Sequence, residues 1–208
     1  MGELSRQDML DKAALAYEHA SAMIYSMDKV FQRFSNVEYD PNLTLAQFDL
    51  ILQGVLLSVA CADGIFVPEE LDFLKQFVIH GNLLEYIKKD SDGTVDLSWE
   101  DVAELPPETT DELLRMLPLI LDSQCQSLII PLLKVDYSYS KHGAVETTPG
   151  DFLKEIEKDM IYIASTLAFV DCEGTDEELN AAAKMIFELE GKHWRTVLSG
   201  NALGDGNS

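Results

Sequence analysis

The chain has 208 residues, 47 % of them apolar and 25 % charged, enough to bury a sizeable core as one domain or two small ones. A formal net charge of −22 excludes unaided nucleic-acid binding, which needs a basic footprint, and docking on anionic lipid. The same charge suits divalent cations or a basic protein partner.

Met1 to Arg6 is polar and no apolar segment follows, so a secretory leader is not expected. No apolar run is expected to cross a bilayer. The best candidate, Leu117 to Val135, is interrupted by Pro118, Asp122, Gln124, Gln126 and Pro131. Cys61, Cys125 and Cys172 are scattered without CxxC spacing, which predicts reduced thiols, a cytoplasmic protein and no zinc site.

Residues 4–34 carry apolar side chains at helical spacing, from Leu10 and Ala13 to Phe31 and Phe34, and predict a long amphipathic helix. Asp40-Pro41-Asn42 is a turn signal. Thr44 is the expected N-cap of an apolar helix running to Ala62. Gly64 supplies the left-handed stop, Pro68 the first position of the next helix, and Glu69 and Glu70 its acidic first turn. That helix is expected to reach Ile79, closed by His80-Gly81, with a short helix over 83–89 behind it.

Asp90 to Asp96 has the look of a calcium loop. With Gly93 at the sixth position, however, the first ligand would be Lys88 and the twelfth Trp99, so a solvated connection is predicted. Thr110 is expected to start a helix into Leu113 and Leu117, and 119–135 reads as helix with Pro131 as a kink. Residues 136–143 read as an exposed loop, 152–170 as a long helix, and Thr175-Asp176-Glu177-Glu178 as a capping box opening a helix to about Leu189. A last turn over 194–198 and a disordered tail over 200–208 complete the chain. The fold class predicted is all-α, a compact bundle of seven to nine helices.

The turn after the apolar helix returns late in the chain. Ala60 to Leu71 aligns without gaps on Ala168 to Leu179, matching Ala60 with Ala168, Asp63 with Asp171, Glu69 with Glu177, and Glu70 with Glu178. This predicts a single domain over 1–199 with two related halves, about 43–90 and 151–190. There is no phosphate-cradling glycine loop, no GxSxG, no HExxH and only one Glu-x-x-His, Glu190 to His193, so no catalytic residue is named.

The Ala-x-Ala-Asp-Gly turn of residues 60–64, with Glu70 seven residues after Asp63, resembles the TerB-like tellurite-resistance family. The second copy keeps Asp171 and Glu178 but has Cys172 where that family has glycine. The resemblance implies an all-α fold of two helical subdomains, an acidic surface for divalent cations, and a non-enzymatic role in tellurite or general stress resistance with protein partners.

If the halves pack about a pseudo-two-fold axis, Asp63, Glu69, Glu70, Asp171, Glu177 and Glu178 converge, and Ca²⁺ or Mg²⁺ relieves their repulsion. The competing expectation is that these side chains only cap helix starts and backbone amides. The alternative function is a metal-dependent hydrolase on the same carboxylates, which requires a concave pocket with a histidine nearby. A scaffold that binds only protein is a third.

Overall fold

The computed structural model describes residues 6–34, 39–64, 66–128, 131–132, 151–170, 175–178 and 180–185. The protein is all-α, with no strand among the described residues. Its helices are α1 (Arg6–Phe34), α2 (Pro41–Ala60), α3 (Pro68–Lys75), α4 (Leu83–Asp90), α5 (Trp99–Ala103), α6 (Pro107–Ile120), α7 (122–128), α8 (Asp151–Leu167) and α9 (176–178 and 180–185). The expected loop over 136–143, the turn over 194–198 and the tail over 200–208 lie outside the described residues.

α2 is the centre. It packs against α1, α3, α4, α6 and α8, and every residue from Gln47 to Ala60 is buried. A helix apolar on all sides needs cover on all sides, and the amphipathic helices supply it. Phe48, Leu52, Val55, Leu56 and Leu57 are fully buried, each contributing roughly 1.5–3 kcal/mol of transfer free energy. α1 also packs along α8, where His19 Nδ1 meets Asp159 Oδ2 at 2.7 Å.

The bilayer reading needs correction. α2, not the 117–135 segment, is long and apolar enough to cross a membrane, with a mean hydropathy of 1.6. In this fold 89 % of that stretch is buried against protein, as the core helix of a bundle must be.

Two helix starts lie earlier than the sequence suggests. Asp40, not Thr44, caps α2: its Oδ1 accepts from the amides of Asn42 at 2.9 Å and Leu43 at 3.3 Å, with Pro41 at the first position. The Thr44 hydroxyl turns back to the Asp40 carbonyl at 3.0 Å. α6 likewise begins at Pro107 rather than Thr110. α5 was not expected at all. It is opened by Ser98 and Asp101, whose side chains each accept from the other's amide, at 3.1 and 2.8 Å. Its Trp99 and Val102 are buried.

The calcium-like stretch is a helix ending. The Gly93 amide reaches the Lys88 carbonyl at 2.8 Å and the Asp92 amide the Lys89 carbonyl at 3.3 Å, a Schellman closure of α4 with Asp92 at φ 53°.

Candidate functional site

The first elbow begins where α2 ends, at Ala60, two residues before the expected Ala62. The Ala62 amide bonds the Val59 carbonyl at 3.0 Å and the Gly64 amide the Cys61 carbonyl at 3.2 Å. Gly64 then takes φ 84°, the left-handed conformation that a Cβ would oppose. Asp63 and Glu69 are exposed. Glu70 is 2 % exposed, and its Oε2 accepts from the Val67 amide at 3.0 Å. This is half a capping box, because Val67 has no side-chain oxygen to return the bond. Burial, with Glu70 and then Asp63 adding negative charge, pushes the Cys61 thiol up to about 12, so it stays protonated at neutral pH.

At the second elbow the described residues begin again at Thr175, and there the helix start is fully boxed. Asp171 lies outside the described residues. Glu178 is 4 % exposed, and its Oε2 accepts from the Thr175 amide at 2.6 Å and the Thr175 hydroxyl at 2.9 Å. Thr175 Oγ1 accepts in return from the Glu178 amide at 3.2 Å, which completes the box. Glu177 is exposed.

A cleft of about 710 Å³ lies between the two elbows. Ser58, Cys61 and Ala62 at the end of α2 form one wall. Asp111, Leu114 and Arg115 of α6 form the second, and Glu177, Lys184 and Met185 of α9 the third. Of the six expected carboxylates, Glu177 borders the cleft, joined there by Asp111, which spacing alone does not single out. Among the described residues that line it there is no histidine.

Among the described residues, no three His, Cys, Asp or Glu side chains stand close enough together to hold a metal. Glu70 and Glu178 each commit an oxygen to a helix start, whereas calcium takes six to eight oxygens at ~2.3–2.6 Å. The described members of the expected ligand set therefore do not fit an enclosed divalent site.

Among the described residues, a dense polar constellation lies elsewhere, beneath the loop from α3 to α4. The expected helix to Ile79 stops at Lys75: the amides of residues 76–78 still bond back to Phe73, Leu74 and Lys75, but those of Ile79, His80 and Gly81 turn to α2 instead. Asp49, fully buried, accepts at Oδ2 from the amides of Ile79 (3.3 Å), His80 (2.5 Å) and Gly81 (3.1 Å). Its Oδ1 accepts from the Tyr17 hydroxyl at 2.6 Å. Gln53, one turn on and also fully buried, donates to the carbonyls of Phe77 at 3.0 Å and Gly81 at 2.8 Å. Its Oε1 accepts from the Leu83 amide at 2.8 Å.

Gly81 passes so close to α2 that a Cβ would sit 2.6 Å from the Ala46 carbonyl oxygen. His80 Nδ1 lies 3.1 Å from the Tyr17 oxygen. Since Tyr17 donates its proton to Asp49, this hydrogen bond requires the proton on Nδ1. Burial, then Asp49, raises the Tyr17 phenol well above its ordinary value. Sequence reasoning missed this latch. Its one signal is Asp49 and Gln53 at i and i+4 inside an apolar helix.

Fold and sites together define an acidic, all-α bundle with a buried loop latch and an open inter-elbow cleft. Comparison with protein-family models, curated proteins and solved structures returns no match.

Proposed function

We propose that this chain is a non-enzymatic binding protein of the TerB-like, stress- or tellurite-resistance kind, which takes a basic protein partner or divalent cations on its acidic surface. The observation that carries the reading is the ridge from the end of α4 to α6. Asp90, Asp92, Asp96, Glu100, Asp101, Glu104, Glu108, Asp111 and Glu112 are all exposed, and no basic residue interrupts the run.

Three of them reach a base: Asp96 to Lys88 at 2.9 Å, Glu100 to Lys75, and Glu112 to Arg115 at 3.9 Å. Asp101 is held below the usual carboxylate range by the Ser98 hydroxyl and then its amide. The rest face water as a field of one sign, which steers cationic partners and is screened by salt. Calcium and magnesium are taken on this ridge as loosely held counter-ions rather than in a cage.

The test is calorimetric titration with a lysine-rich peptide, with CaCl₂ and with MgCl₂, at low and high salt. The peptide should bind at low salt, weaken as salt rises, and bind less well to a Glu104→Gln/Glu108→Gln/Glu112→Gln variant. No binding of peptide or of either cation at low salt contradicts the reading.

A further inference from the structure

The cleft between the elbows differs in character from the surface around it. The chain carries −22 overall, yet the rim of the cleft holds two acids, Asp111 and Glu177, and two bases, Arg115 and Lys184. On α6 the acid precedes the base by four residues, and on α9 by seven, so both helices present acid first and base later to the same space. Of the other lining residues Ser58 and Met185 are buried, and Ala62, Leu114, Ala181 and Met185 give the floor apolar patches beside its polar groups. A volume of about 710 Å³ lies within the size range of small-molecule sites.

These features select a ligand class. A simple anion is repelled by the net field even though two bases stand at the rim. A simple cation gains more on the acidic ridge, where carboxylates outnumber bases, than at a rim where the two are equal. A molecule carrying both charges and an apolar body satisfies floor and rim together. We propose that the cleft binds a small zwitterion the size of an apolar dipeptide. Its ammonium meets the rim carboxylates, its carboxylate meets the Arg115 guanidinium, and its side chains cover the floor. This site adjoins the ridge, sharing Asp111 with it, but its apolar floor, Glu177 and Arg115 are not part of the ridge, so either reading can fail without the other.

The probe is the dipeptide Leu-Leu, followed by amide chemical shifts and calorimetry on the full chain, with its N-acetylated and C-amidated forms as controls. The free dipeptide should shift the amides of Ser58, Cys61 and Met185 and bind about ten-fold more tightly than either capped form, because each cap removes a charge-assisted contact. Arg115→Gln should lose about ten-fold for the free dipeptide and nothing for the amidated one, which lacks the carboxylate. Asp111→Asn/Glu177→Gln should do the same against the N-acetylated form. All are rim substitutions, and unchanged melting temperatures establish that the variants fold.

No shift in the cleft at millimolar dipeptide overturns the proposal, as does equal binding of capped and free forms. Tight binding of a long, end-capped amphipathic peptide without binding of the dipeptide also overturns it, and assigns the cleft to a protein segment.

Discussion

The two turns flanking α3 are both closed by carboxylates, in opposite ways. Before α3, Glu70 reaches back three residues to the Val67 amide. After α3, Asp49 reaches the amides of residues 79–81 from a different helix, thirty or more residues earlier in the chain. The first bond is local and joins a buried carboxylate to a single part-buried amide. The second gathers three part-buried amides and the buried Tyr17 hydroxyl on one fully buried carboxylate, so its loss strands several groups at once. One carboxylate trims a helix start; the other fixes how α3 and α4 sit on the core.

The largest effect should therefore come from Asp49→Ala, which strands three amides and the Tyr17 hydroxyl. We expect a loss of about 3–4 kcal/mol in urea denaturation, since an unsatisfied buried donor costs ~1–3 kcal/mol and some relaxation occurs. Gln53→Leu should follow at about 2–3 kcal/mol, because the Phe77 and Gly81 carbonyls and the Leu83 amide lose their partners. A loss below 1 kcal/mol in either variant, measured against a core substitution of known effect, would place water in the latch and erase the contrast.

Next come the elbows. Glu178→Ala breaks a complete box and should cost about 1–2 kcal/mol, and Glu70→Ala breaks half of one and should cost less. The reverse order would show that Thr175 contributes nothing. Exposed Glu69→Gln and Glu177→Gln should stay within about 0.5 kcal/mol of the parent.

Titration sharpens the first elbow in another way. Cys61 is raised from its ordinary value near 9 to about 12. The unfolded chain thus releases this proton first, so its contribution to stability is full below about pH 8.5 and is lost as pH rises toward 12. At pH 8, alkylation of native Cys61 should run slower than in urea by roughly a thousand-fold, following the thiolate fraction.

What was legible in the sequence follows the same division. The all-α class, Gly64 in the left-handed region, Pro68 at a first helical position and the Thr175–Glu178 box are short-range events, and residue order displays them. Asp40 and Pro107 displaced the expected caps Thr44 and Thr110 because a proline at the first helical position outweighs a hydroxyl three residues later. The early end of α3 could not be read locally. Residues 76–79 have helical spacing, but Asp49 and Gln53 claim the backbone groups a longer helix would use. The cleft was half legible: Glu177 was named, while Asp111 and Arg115 arrive from a helix that no motif connects to either elbow.

Native-state hydrogen exchange at the amides of Ile79, His80 and Gly81 tests the latch most directly. If Asp49 holds them as described, all three exchange only through global unfolding, at one common free energy. Exchange at the rate of an open loop, with the core amides of α2 still protected, would contradict it.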